Sequence, residues 1–146
     1  MKNNELLQSI CTALELAEQD LGALLALCGH DAQSESDEGL LQECSNEQLR
    51  CVLEGLILER RPPRSDGKPP VINKKALSNN EVLKKLRIAL NLQQEDMLLV
   101  FEEGGATLSE TDLGALFRKQ GNKHFRACSD AMLLQFLGGL NPSLDT

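Results

Sequence analysis

The chain has 146 residues, of which 41% are apolar and 25% charged, a globular balance that fits one ordinary domain or two very small ones. Its formal net charge of −7 argues against sequence-independent binding to nucleic acid, because that affinity comes chiefly from neutralising phosphates. No apolar run approaches the roughly 20 residues of a membrane span, and the N-terminal MKNNELLQSI lacks the basic region and unbroken apolar run of a secretory signal. A soluble, cytoplasmic protein without membrane contact is therefore expected.

The first elements lie in residues 3–29. Leu6, Leu7, Ile10 and Leu14 form one stripe at helical spacing, and Asn4 sits where a helix N-cap belongs. A second helix runs through LGALLAL, read as core, toward Gly29, which suits a left-handed C-cap. SESDEGLL at 34–41 opens with a variant of the capping box and predicts a third short helix, and CSNEQLRCVLEGL at 44–56 predicts a fourth.

Residues 59–78 hold four of the five prolines and six basic side chains. Proline fixes the backbone and removes a donor, so this segment reads as an extended, solvated linker.

The chain then repeats itself. Residues 79–105 match 3–29 with nine identities in 27 positions, among them Asn79, Asn80, Ala89, Leu90, Asp96 and Gly105. Val82, Leu83, Leu86 and Leu90 restore the stripe, Asn80 is the expected N-cap, and Met97, Val100 and Phe101 keep core spacing. SETDLGAL at 109–116 answers SESDEGLL, and CSDAMLLQFLGGL at 128–140 answers CSNEQLRCVLEGL with six identities in 13. Between these last two, FRKQGNKHFRA stands where the first copy has only QE. The expected fold is all-α: two tandem copies of a four-short-helix repeat, at 1–58 and 79–146, packed as one pseudo-symmetric body. Either unit alone would bury little apolar surface, and pairing hides the remaining faces.

The copies differ in charge. Residues 1–58, 59–78 and 79–146 carry nets of −9, +4 and −2. On the helix from Glu81, the side opposite the stripe carries Lys84, Arg87 and Asn91, where the first copy has Gln8, Cys11 and Glu15. With Arg118, Lys119, Lys123, His124 and Arg126 of the inserted stretch, these cations can form one basic surface; set against that is an ordinary mixed-charge, solvated face.

No Walker loop, dinucleotide turn, nucleophile elbow or metalloprotease helix occurs, so no catalytic residues and no cofactor are assigned. The glycine pairs at 104–105 and 138–139 are explained by helix ends and close packing. Five cysteines without a C-x-x-C spacing read as reduced thiols. His124 and Cys128 have an i, i+4 spacing, but no second pair completes a metal site.

The second copy, through NN, KLRIALNL, LFRK and the Cys-x-Asp followed by FL-x-GL, resembles the YehS-like family of uncharacterised bacterial proteins, and the resemblance spans nearly the whole chain. It implies a tandem repeat of a small helical domain joined by a basic, proline-containing linker, and a cytosolic bacterial protein; it supplies no activity.

Two functions are weighed. The first is a non-enzymatic helical binding module whose second copy presents Lys84, Arg87, Arg118, Lys119, His124 and Arg126 to an acidic protein surface or a phosphate-bearing molecule. The alternative is helix-turn-helix-like DNA binding, since 95–119 reads helix, glycine turn, helix, basic end. It fits less well: Phe101 and Thr111 stand where that motif wants a small and an apolar residue, and the reading helix would begin with the acids of SETD.

Overall fold

The computed structural model describes residues 1–27, 43–60 and 75–140, and among them it forms seven α-helices and no strand. These are α1 (Asn3–Leu14), α2 (Glu18–Leu27), α3 (Asn46–Arg60), α4 (Asn79–Leu90), α5 (Gln94–Glu103), α6 (Glu110–Leu116) and α7 (Asp130–Leu140). The helix expected at 34–41, the cap at Gly29 and residues 61–74 of the expected linker lie outside the described residues; the linker's first two residues, Glu59 and Arg60, are not extended but lie in the last turn of α3.

Local chemistry sets the helix ends. Ser45, Ser109 and Ser129 each accept a hydrogen bond from the backbone N–H three residues on, at 3.0 to 3.1 Å. At Ser45 and Ser109 the reciprocal bond from the serine N–H to Gln48 or Asp112 completes a capping box. The expectation for Asn80 is corrected: the cap of α4 is Ser78, which accepts from the Glu81 N–H, and α4 begins at Asn79. Likewise α1 begins at Asn3, after Lys2, which leaves Asn4 inside the first turn. Helix α5 ends as expected, with Gly105 at φ +94 and paired bonds from Gly105 N–H to the Glu102 carbonyl and from Ala106 N–H to the Phe101 carbonyl. The same closure ends α1 and α4, but there the left-handed position is held by Glu15 and Asn91.

Packing is pseudo-symmetric. Helix α2 lies along α3 as α5 lies along α7, while α4 packs on α3 as α1 packs on α7, so each half grips the other through two equivalent contacts. Backbones touch at matching points: a Cβ on Gly55 would stand 2.1 Å from the Leu24 carbonyl oxygen, and one on Gly139 would stand 1.9 Å from that of Val100. Asn3 Nδ2 donates to the Cys44 carbonyl at 3.1 Å and to Asn46 Oδ1 at 2.8 Å; Asn79 Nδ2 donates to the Cys128 carbonyl at 3.0 Å and to Asp130 Oδ1 at 2.8 Å. One hydrophobic cluster takes side chains from all seven helices, including Leu7, Ile10, Leu24, Leu53, Leu83, Phe101, Leu113 and Phe136. Each such side chain contributes about 1.5–3 kcal/mol relative to exposure.

The two equivalent interfaces are not filled alike. Between α3 and α4, Lys85 pairs with Glu54, and the buried Arg50 donates to the Lys75 carbonyl at 3.3 Å and approaches Glu81 at 3.9 Å. Where α1 meets α7, the corresponding positions are Ser9, Gly138 and the exposed Leu134, and a groove of about 380 Å³ remains.

Candidate functional site

The stretch between α6 and α7, which the first half lacks, folds as a set of turns. The Phe125 N–H donates to the Asn122 carbonyl at 2.9 Å, the Asn122 N–H to that of Lys119 at 3.0 Å, and the Arg126 N–H to that of Ala115 at 3.0 Å. Gly121 takes φ +99, a left-handed backbone that suits glycine. Asn80 ties the ends of the loop together: its Nδ2 donates to the Leu116 and Arg126 carbonyls at 2.9 and 2.8 Å, and its Oδ1 accepts from the Cys128 N–H at 2.8 Å. A single amide on the first turn of α4 thus satisfies three backbone groups and holds the loop against the helix.

Helix and loop enclose a cleft of about 440 Å³. Lys84 and Glu81 from α4 and Arg118 and Lys119 from the loop line it, together with Phe117, Gln120 and Phe125. All three cations are exposed, and none is ion-paired with a described residue. Arg87 stands apart from this group. It is half-buried, its guanidinium lies 4.7 Å from the centre of the Phe117 ring, and its Nε donates to the Leu92 carbonyl at 3.1 Å. The expected exposed face of the helix therefore narrows: the position of Arg87 lies at its edge, and the matching Cys11 is buried. His124 and Arg126 are exposed but do not line the cleft, and Arg126 comes within 3.8 Å of Asp112.

Sequence reasoning missed Asn80 as the anchor of the loop and both phenylalanines of the cleft. The signal for the phenylalanines was present. The chain has four Phe and no Trp or Tyr; Phe101 and Phe136 are fully buried with their rings 5.2 Å apart, whereas Phe117 and Phe125 stand in the inserted stretch and are only half-buried.

The chemistry of the remaining groups is that of support. Burial, and then the charge of Asp130, push the Cys128 thiol up to about 11, so it stays protonated at neutral pH and is a poor nucleophile. His124 lies in a turn and not on a helical face with Cys128, and among the described residues no group of three or more His, Cys, Asp or Glu could hold a metal ion. Hydrogen bonds from Ser109 hold Asp112 below the usual carboxylate range, and the Asn79 amide does the same for Asp130. Helix α6, which would have to read DNA, spans seven residues, about 10 Å, with Glu110 and Asp112 in its first turn. No helix among the described residues is long and apolar enough to cross a membrane.

Over 96% of its length this chain is 34% identical to "Uncharacterized protein YehS" of Escherichia coli (strain K12), and the match covers 94% of that protein. The chain belongs to the YehS-like family. A family model described as "Protein of unknown function (DUF1456)" matches residues 79–143, which contain every cleft residue except Ser78. No solved structure matches. Membership of the YehS-like family brings no activity with it, so the function has to be argued from the cleft itself.

Proposed function

We propose that this chain is a non-enzymatic binding module, built as two tandem four-helix units at 1–58 and 79–146 joined by the basic linker at 59–78, with the second unit as its contact surface. The observation that carries the reading is the convergence of Lys84, Arg118 and Lys119 on one cleft within an otherwise acidic chain. Long, exposed cations add little to folding, typically about 0–1 kcal/mol even when paired. Three of them around a concave surface, against the one carboxylate of Glu81, suit an anionic partner, either an acidic protein surface or a phosphate-bearing molecule. The first unit lacks both the loop and the cations, and serves as the scaffold that completes the shared core.

The test replaces Lys84, Arg118 and Lys119 together by Ser and compares what wild type and variant retain from a cell lysate at low and at physiological salt. Arg87 is left in place because its stack on Phe117 supports the loop. The variant should melt within about 1–2 °C of wild type, losing the retained partner. Capture should also weaken with salt, since exposed charges are screened over about 8 Å at physiological ionic strength. Unchanged capture in the variant would sink the reading.

A further inference from the structure

The cleft combines two features that a simple anion site does not need. Three cations line it, beside the single carboxylate of Glu81, and so do two half-buried phenylalanines: Phe117, which also packs against the core, and Phe125. We infer that the cleft binds a nucleoside phosphate, with the base against the phenylalanine wall and the phosphates on Lys84, Arg118 and Lys119. This inference rests on the reading of the basic cleft as the binding surface and names its ligand class.

A base presents a flat π-face to an aromatic side chain, and that contact tolerates any base. Phosphate oxygens take charge-assisted hydrogen bonds from Lys and Arg. Inorganic phosphate or a phosphorylated side chain would use only the cations; Phe117 is accounted for by its packing on the core and under Arg87, but Phe125 would be left without a part. The volume, about 440 Å³, lies in the range of small-ligand pockets and suits one nucleotide unit. Duplex DNA, by contrast, would meet a chain of net −7 along its length. The site is also held in shape before any ligand arrives. Asn80 fixes both ends of the loop, and Arg87 stacks on Phe117 and holds that ring as a wall, so little ordering remains to oppose binding. Gln120, exposed at the rim, supplies an amide that can pair with the edge of a base.

The experiment is calorimetric titration of the full chain at low salt with four probes: ADP, pyrophosphate, adenosine and a single-stranded adenylate hexamer. ADP should bind at least about tenfold more tightly than pyrophosphate or adenosine, because each of those keeps half of the contacts. Phe125→Leu should weaken ADP by about tenfold, within the range of base–aromatic contacts, and leave pyrophosphate unchanged. Arg118→Ser with Lys119→Ser should weaken both. A hexamer that binds more tightly than ADP, with the same dependence on Phe125, supports the site and assigns the nucleotide to a single strand. Pyrophosphate binding as tightly as ADP, or an absence of ADP binding, overturns the nucleotide assignment; the comparison of probes on wild type needs no variant to fold. If the triple serine variant still loses its captured partner while ADP fails to bind, the basic cleft stands and only the ligand class falls.

Discussion

Gly139 and Val100 bring α7 and α5 together backbone to backbone: a Cβ on Gly139 would stand 1.9 Å from the Val100 carbonyl oxygen and 3.0 Å from the Gly104 nitrogen. Those neighbours are main chain and cannot rotate away. Its neighbour in sequence, Gly138, has nothing within 4 Å of the same position. Alanine at these adjacent sites should therefore act with opposite sign. Gly139→Ala should destabilise by at least about 1–3 kcal/mol through overpacking, and Gly138→Ala should stabilise by about 0.5–1 kcal/mol through helix propensity. Urea denaturation of the two variants measures both, and equal signs would contradict the close approach.

Glu15 and Asn91 occupy equivalent left-handed positions after α1 and α4, at φ 57 and 54. Asparagine tolerates that conformation, whereas a glutamate there carries a steric cost of about 1–2 kcal/mol. Glu15→Gly should accordingly raise stability by about 0.5–1 kcal/mol once the extra freedom of glycine in the unfolded chain is deducted. Asn91→Gly should change it by less than about 0.5 kcal/mol. A pair of thermal melts decides whether the asymmetry is real.

Acid should weaken the fold through two carboxylates. Asp112 and Asp130 both titrate below their ordinary value of 3.8 in the folded chain, the first through bonds from Ser109, the second chiefly through the Asn79 amide. A carboxylate depressed in this way stabilises fully above its unfolded value and stops doing so as the pH falls through the folded one. The melting temperature should hold steady from neutrality down to about pH 5 and drop below about pH 4. Asp130→Asn should soften that drop, because Asn46 already fills the equivalent place in the first half and accepts from Asn3 with the same 2.8 Å geometry. An unchanged acid limb in Asp130→Asn would remove this carboxylate from the account.

How much of this was legible beforehand follows the range of the interactions. The helical stripes of Val82, Leu83 and Leu86 were readable, because burial of one helix face imprints a period on the sequence. So were the box opened by Ser109 and the turn at Gly105, which depend on partners three to five residues away. The loop opposite α4 was readable as an insertion, since the two halves could be laid over each other. What it encloses was not.

Asn80 shows why. In sequence it looked like a helix cap, a local role, yet its amide reaches carbonyls 36 and 46 residues away, and no short-range rule specifies such a partner. Arg87 was counted with the exposed cations because helical angles alone cannot say how close a neighbouring Phe117 will come. The sequence by itself determined that the chain is helical, that residues 79–105 align with 3–29 at nine of 27 positions, and that a basic stretch at 117–127 stands where the first half has two residues; these are properties of spacing, composition and self-comparison. Only the tertiary structure decided that Lys84, Arg118 and Lys119 share a cleft with two phenylalanines while His124 and Arg126 do not. That outcome depends on where α4 and the loop meet, and their meeting is set by packing and by long-range hydrogen bonds to Asn80 that carry no periodic trace along the chain.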